Sequence, residues 1–156
     1  MQKFLSIALL LAIAGCSTQS APVEEEPPIG SLSGQLSLNG APLENTTVWL
    51  CLNENPADFK RSTSTNPAMD AEYNFQKLWR ELNTVNQKAP RECALNTRTD
   101  ETGAYEFAEL PLGMYALYSA YSNDSQVAYW SEEVIFGGNE ATLDLNSQNA
   151  AEVLSR

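Results

Sequence analysis

The chain has 156 residues and a formal net charge of −11, with 20 acidic residues, nine basic residues and no histidine. Such an excess of acid argues against binding to nucleic acid or to anionic lipid. The lack of histidine excludes catalytic systems that need a Ser-His or Cys-His pair, and zinc sites with histidine ligands. The length allows one domain with a full core, plus a tether.

Residues 1–15 predict an export signal. Lys3 supplies a positive charge, and residues 4–14 are apolar except for Ser6. As a helix this run would reach about 16 Å, too short for a hydrocarbon core about 30 Å thick but right for a signal peptide. It ends in IAGC at residues 13–16, which closely resembles the lipobox of bacterial lipoproteins. The alternative is an ordinary secretory signal with a chance cysteine.

The lipobox resemblance implies a covalent lipid on Cys16. In that family a diacylglycerol is attached to the cysteine thiol, and the signal peptide is then cut off before the cysteine. The new N-terminal amine is acylated with a fatty acid such as palmitate. Two or more acyl chains anchor a protein stably. Ser17 follows the cysteine, which resembles the pattern of lipoproteins sent to the outer membrane. We therefore expect a protein held at the periplasmic face of the outer membrane, with no cofactor other than this lipid.

Residues 16–30 are rich in proline, glutamate and small residues, and they predict a flexible tether. The charge beyond the tether is uneven. Residues 53–92 contain six basic and six acidic residues, whereas residues 93–156 contain two and ten. This distribution fits a solvated surface, and a cationic partner or a divalent cation is the alternative.

Residues 31–146 predict one β domain. Apolar and polar residues alternate from Leu32. The β-forming segment 46–52 would place Val48, Leu50 and Leu52 on one face, with Trp49 and Cys51 on the other. About seven short strands are predicted. The turn signals between them lie at residues 39–40, 100–103, 110–113 and 137–138. Residues 147–156 are expected to form a polar C-terminal tail.

Residues 53–92 predict an insertion between two strands, helical in its second part. Apolar residues recur there at helical spacing, namely Phe75, Leu78, Trp79, Leu82 and Val85. Asn66 or Asp70 would cap the start of this helix, and Pro90 should block its continuation. The apolar stripe would pack on its own domain, or alternatively dock a partner.

Cys51 and Cys93 flank the insertion. An even pair of cysteines in an oxidising compartment predicts a disulfide, with two free thiols as the alternative. A bridge across this loop is worth up to about 4 kcal/mol in a chain-entropy estimate. Two cysteines are too few for a thiolate metal site, and we expect no bound metal.

The order of motifs resembles the carboxypeptidase regulatory-like domain, a transthyretin-like (prealbumin-like) Greek-key sandwich, and Cna-B-type domains are similar. The matching segments are GQL at 34–36, NGAPL at 39–43, TVWL at 47–50, TRTDETGAYEF at 97–107 and LPLGMYAL at 110–117. The resemblance covers about residues 30–145, with 53–92 outside it. It implies a mainly β, seven-stranded Greek-key β-sandwich with one inserted α-helix, acting as a non-catalytic module.

The first functional hypothesis is a binding or scaffolding module for a protein partner in the cell envelope. Long insertions in a compact domain are where function is often placed. Four residues of the insertion are the candidate contacts: Tyr73, Lys77, Trp79 and Arg80. The sequence does not indicate the oligomeric state or the partner.

The second hypothesis is a module that binds carbohydrate or peptidoglycan through exposed aromatic residues such as Trp49, Tyr129 and Trp130. Ordinary packing between strand and helix is the favoured interpretation of these three residues. An enzyme is the third and least favoured. Asp100 and Glu101 are adjacent carboxylates, but neighbours on a strand point to opposite faces, and a hairpin turn accounts for Asp100. A calcium site at this turn has too few suitably spaced oxygens to be argued.

Overall fold

The computed structural model describes residues 29–52, 57, 59–64 and 66–156. The signal peptide, the lipobox cysteine Cys16 and nearly all of the tether therefore lie outside the described residues. Within the described part of the chain, no helix is both long enough and apolar enough to cross a membrane.

The described residues form a large sheet, a small sheet, a two-stranded sheet and one long helix. In chain order the elements are β1 (Ile29–Gln35), β2 (Ser37–Leu38), β3 (Ala41–Pro42), β4 (Thr47–Leu52), α1 (Pro67–Glu92), β5 (Cys93–Arg98), β6 (Ala104–Pro111), β7 (Gly113–Ser122), β8 (Gln126–Phe136), β9 (Ala141–Thr142) and β10 (Glu152–Ser155). The large sheet has the order β10-β8-β7-β4-β5, the small sheet has the order β6-β1-β9, and the two-stranded sheet consists of β2 and β3. The mainly β prediction is confirmed, although three of the ten described strands have only two residues.

The main core lies between the large sheet and the small sheet. Val48 and Leu50 of β4 point into it as the alternation predicted, and they meet Leu32 of β1 and Phe107 of β6. Trp130 of β8 is fully buried in the same core, and its indole N–H donates a hydrogen bond to the carbonyl of Asn146, 2.8 Å away. The indole group thus fills the core and also fixes the loop before β10.

Helix α1 covers the outer face of the large sheet. Four residues of its predicted apolar stripe are buried there, with Phe75, Leu78, Leu82 and Val85 packed against residues of β4, β7 and β8. The fifth, Trp79, is 41 % exposed on the flank of the helix. Asn66 is the N-cap, accepting a hydrogen bond from the Met69 N–H, and Pro67 occupies the first helical position.

The predicted helix end at Pro90 is wrong, because α1 continues to Glu92. Ala89 in the last turn is fully buried against the sheet, and the N–H of Cys93 donates a hydrogen bond to its carbonyl. Most helix stability in proteins comes from packing, and here packing holds the last turn although proline lacks a backbone donor.

The segment predicted as a polar C-terminal tail, residues 147–156, is in part a strand. Residues Glu152–Ser155 form β10, which pairs with the first half of β8 and extends the large sheet. Ion pairs tie this strand to the insertion. The guanidinium of Arg61 contacts the carboxylate of Glu152, with Nε and Oε2 2.8 Å apart.

Candidate binding surfaces

The outward face of α1 carries the two most exposed large apolar side chains among the described residues of the insertion. Met69 is 68 % exposed and Tyr73 is 54 % exposed, and Arg80 lies on the same face seven residues after Tyr73. We call the shallow depression on this face, about 480 Å³ in volume, the outer patch. It is lined by Ala68, Met69, Glu72, Tyr73, Gln76 and Arg80.

The four contact residues predicted from the sequence do not share one surface. Tyr73 and Arg80 lie together in the outer patch. Trp79, 41 % exposed, lies on one flank of the helix, beside the β7–β8 turn and the C-terminus. Lys77 lies on the other flank, where its ammonium donates a hydrogen bond to the Lys60 carbonyl (2.7 Å).

Lys77 therefore holds the first half of the insertion against the helix. Its Nζ also lies 5.3 Å from the ring centroid of Phe59, a distance at which a cation–π contact forms.

Met69 belongs to the outer patch but was not among the four contact residues predicted from the sequence. Its spacing of four residues before Tyr73 is the signal that would have found it.

Polar contacts fix the start of α1 and so the shape of the outer patch. The guanidinium of Arg156 binds the carboxylate of Glu72, with Nε and Oε2 2.9 Å apart, and the Gln76 amide donates to the same carboxylate. These hydrogen bonds, with Arg156 as the main cause, lower the pKa of Glu72 to about 2. Hydrogen bonds from Ser64 likewise lower the pKa of Asp70. Both carboxylates are held ionised by contacts within the chain.

A second depression, which we call the polar groove, lies where β4 and β7 meet the C-terminal half of α1. Its volume is about 350 Å³. Trp49 and Tyr121, both partly buried, supply aromatic surface, while Asn45 and Asn86 supply amide groups. This combination of ring faces with amides and hydroxyls can form stacking contacts and hydrogen bonds with a polar ligand.

The other two aromatic residues considered for sugar stacking are not exposed. Tyr129 is buried beneath α1, and Trp130 is buried in the main core. Packing, which the sequence analysis favoured for these residues, is confirmed for both, because β8 is covered by the small sheet on one face and by the helix on the other. Trp49, the third residue of the predicted set, lines the polar groove.

Asp100, one of the two carboxylates considered for catalysis or calcium, supports the hairpin turn. One Asp100 oxygen accepts hydrogen bonds from the Thr102 hydroxyl (2.7 Å), the Thr102 N–H (2.8 Å) and the Ala104 N–H (2.9 Å). The hydroxyl of Thr102 is the main cause that lowers the pKa of Asp100. Gly103 in this turn has a φ of +78°, which glycine adopts without strain. The predicted hairpin role of Asp100 is confirmed.

An open cleft of about 630 Å³ lies beside this hairpin, between Arg98, Glu106 and Asp144. Asp144 accepts a hydrogen bond from the Gln35 N–H (2.9 Å), so it too supports the chain. Tyr105 lines the cleft and donates its hydroxyl hydrogen to the Leu143 carbonyl, and burial raises its pKa. Among the described residues, no group of three or more cysteine or acidic side chains could hold a metal ion.

The fold that carries these surfaces is a transthyretin-like β-sandwich, as the motifs predicted. A family model described as the NOMO third transthyretin-like domain matches residues 30–136, and the chain belongs to this family. Among curated protein sequences no significant relative was found.

Several solved structures are similar to the chain. A candidate carbohydrate-binding protein from Pseudomonas aeruginosa is 16% identical, with a TM-score of 0.45, covering 77% of this chain and 89% of that chain. The major pilin subunit of Bacillus cereus is 13% identical, with a TM-score of 0.41, covering 77% and 29%. The major pilin of Corynebacterium diphtheriae is 16% identical, with a TM-score of 0.42, covering 78% and 30%. The chain therefore spans less than a third of either pilin.

Proposed function

We propose that this chain is a lipid-anchored, non-catalytic binding module of the bacterial cell envelope, and that the outer patch of α1 contacts an envelope protein. One observation carries the choice of surface. Met69 and Tyr73 are mostly exposed on the face of α1 that points away from the sheet, although the opposite face is fully packed.

The composition of the outer patch supports a protein partner. Scattered single apolar residues are normal on protein surfaces, but methionine, tyrosine and arginine are enriched where proteins meet. Here Met69, Tyr73 and Arg80 lie within one depression on one helix face. A tyrosine in the middle of such a patch, with an arginine at its border, has the character of an interface hot spot.

The contacts around the patch favour binding without rearrangement. The N-cap at Asn66, the Arg156–Glu72 ion pair and the Lys77–Lys60 hydrogen bond fix the first turns of α1 from three sides. A surface that is already ordered loses less conformational entropy on binding. A partner would therefore meet a fixed helix face.

The membrane part of the proposal rests on the sequence at residues 13–16. Lipid on Cys16 would hold the domain at the periplasmic face of the outer membrane, at the end of a tether of 12 residues before Ile29. Cys16→Ala should abolish labelling with radioactive fatty acid and leave the signal peptide uncut. Continued maturation of this variant would show that the lipid assignment is wrong.

The partner surface is tested by recovery of bound proteins from detergent-solubilised membranes. Tyr73→Ala should lower partner recovery by tenfold or more if Tyr73 is a hot spot, since such residues contribute about 2 kcal/mol or more. Gln87→Ala is the matched control, because Gln87 is exposed on the same face of α1, about 21 Å further along the helix axis at 1.5 Å per residue. Equal recovery with both variants would exclude the outer patch.

The polar groove supports a second candidate function, binding of a saccharide such as a peptidoglycan strand. Sugars stack on aromatic faces and bond to amides, and Trp49, Tyr121 and Asn86 provide these groups in one depression. Retention of the protein on purified peptidoglycan would be compared for Trp49→Ala and for Trp79→Ala, which changes a tryptophan outside the groove. A loss confined to Trp49→Ala supports the groove, and no loss in either variant removes this candidate.

A further inference from the structure

The exposed apolar side chains of the sandwich are gathered at one of its ends. Among the described residues, nine large apolar side chains are exposed, and Met69, Tyr73 and Trp79 belong to α1. The other six lie on strands or on the links between them: Ile29, Leu52, Leu95, Leu112, Met114 and Ile135. We call these six residues the apolar end.

Strand register places the six residues together. Ile29, the first residue of β1, pairs with Pro111 at the end of β6, and Leu112 then links β6 to β7. Met114 in β7 pairs with Ile135 near the end of β8. These pairings place the first residues of β1 and β7 beside the last residues of β6 and β8, at one end of the sandwich.

The other two residues of the apolar end, Leu52 and Leu95, are placed there by the pairing of β4 with β7 and β5. Leu52, the last residue of β4, pairs with Tyr115, which directly follows Met114. Leu95 pairs with Leu50, two residues before the end of β4. The opposite end of the sandwich consists of polar turns, such as residues 99–103 and 123–125, and none of these six side chains lies there. Trp79 lies beside the second of these turns, on α1.

The chain outside the described residues joins the sandwich at this same end. Residues 17–28 lead from Cys16 directly into Ile29, and 12 extended residues reach at most about 40 Å. This step rests on the lipid anchor of the proposed function. With lipid on Cys16, the apolar end is the part of the domain that the tether holds closest to the membrane.

We propose that the apolar end rests on the bilayer, with Leu112, Met114 and Ile135 entering the interfacial layer of zwitterionic phospholipid. Ile135 is 82 % exposed, and its cross-strand neighbour Met114 is 57 % exposed, so both are free to enter lipid. Because the tether keeps the domain near the surface, even a weak intrinsic affinity gives a largely docked population.

The negative charge of the domain favours zwitterionic over anionic phospholipid. Glu109 and Glu133 are exposed next to this end, and the whole chain carries a formal net charge of −11, so an anionic membrane would repel it. Phosphatidylethanolamine presents an ammonium group that can approach these carboxylates.

The docked arrangement also leaves the outer patch accessible. The first turns of α1 contact Arg156, which lies beside the polar turn at Ser125, at the end of the domain away from the membrane.

The test uses the full lipidated chain, reconstituted into vesicles of phosphatidylethanolamine and phosphatidylcholine. A polarity-sensitive fluorophore is attached at Ile135→Cys or, as the matched control, at Glu101→Cys in the turn at the opposite end. The label at residue 135 should show blue-shifted emission and be quenched by brominated lipid, whereas the label at 101 should show neither. Adding Met114→Ser, or changing the vesicles to anionic phosphatidylglycerol, should reduce the quenching at residue 135.

The outcomes separate this proposal from the anchor on which it rests. If the protein floats with the vesicles but the two labels behave alike, the anchor stands and docking of the apolar end is wrong. If the protein does not float with vesicles at all, the lipid anchor itself is wrong. Quenching at residue 135 that is unchanged by Met114→Ser and by anionic lipid would contradict the proposed contact and its charge dependence.

Discussion

Cys51 and Cys93 are paired residues of neighbouring antiparallel strands, and a disulfide joins them although they are 42 residues apart in the sequence. Both are buried in the cluster that α1 forms with the large sheet. The bridge therefore fixes the C-terminal end of the helical layer to the sheet, while ion pairs with the C-terminal segment fix the other end.

The first prediction concerns this disulfide. Replacing both Cys51 and Cys93 by alanine should lower the free energy of unfolding by up to about 4 kcal/mol, because the open chain gains the entropy of a loop of this size. Urea unfolding followed by circular dichroism would measure the change. Wild-type protein treated with a thiol reductant in urea should shift in the same direction, and an unchanged midpoint in the double variant would contradict the prediction.

The second prediction concerns the attachment of α1. Leu78 is fully buried between the helix and the sheet, so Leu78→Ala should destabilise the protein by about 2–5 kcal/mol. Gln87→Ala, on the exposed face of the same helix, should change stability by only about 0.5 kcal/mol. Thermal or urea unfolding of both variants would test this, and equal stability would mean that the helical layer contributes little to the fold.

Local sequence patterns correctly predicted those features that are determined by residues close together in the sequence. Val48 and Leu50 alternate with Trp49 and Cys51, and this pattern correctly gave a strand with two different packed faces. The N-cap at Asn66 also follows from a few adjacent residues. The strand β10 could not be seen in this way, because its pairing partner is the β8 segment Gln126–Tyr129 and its own apolar content is two residues.

Local patterns predicted that the helix packs on its own domain, but they do not show which strands it covers. Tyr129 and Trp130 alternate as in any strand, and only the helix packed on the large sheet makes both faces of β8 internal. The apolar end is a similar case. Ile29, Leu112 and Ile135 are far apart in the sequence, and strand register alone brings them together. In contrast, Tyr73 and Arg80 share a helix face, which their spacing predicts.

The third prediction concerns the close contact of β1 with the chain that follows β9. A Cβ atom on Gly34 would lie 1.9 Å from the carbonyl oxygen of Leu143, which belongs to the backbone and cannot turn away. Gly34→Ala should therefore cost about 1–3 kcal/mol of stability through forced backbone displacement.

Gly137 offers the matched control for that substitution. No atom lies within 4 Å of a Cβ placed there, so Gly137→Ala should be tolerated. Melting temperatures of the two variants would be compared with that of the wild type. A Gly34→Ala protein as stable as Gly137→Ala would show that β1 and the Leu143 segment can separate without loss.

The fourth prediction concerns the ion pair between Glu72 and Arg156. The pKa of Glu72 is about 2 in the folded chain and 4.5 for an unperturbed glutamate, so its carboxylate stabilises the folded state above about pH 4.5. This stabilisation is lost as the pH falls from about 4.5 towards about 2, since the folded state must then give up its ion pair. Both side chains are nearly half exposed, so the effect should be modest and should weaken at high salt.

Hydrogen exchange at the backbone amides of Val153 and Leu154 in β10 is the most direct measurement of this ion pair. In Glu72→Gln these amides should exchange faster than in the wild type at about pH 7, because Arg156 no longer holds the end of the strand to α1. The difference between the two proteins, after correction for the intrinsic exchange rate, should shrink as the pH is lowered towards about 3. Glu101→Gln removes the same charge from an exposed turn and should leave β10 protection unchanged. Equal protection of β10 in the wild type and in Glu72→Gln at neutral pH would mean that strand pairing with β8 alone holds the C-terminus.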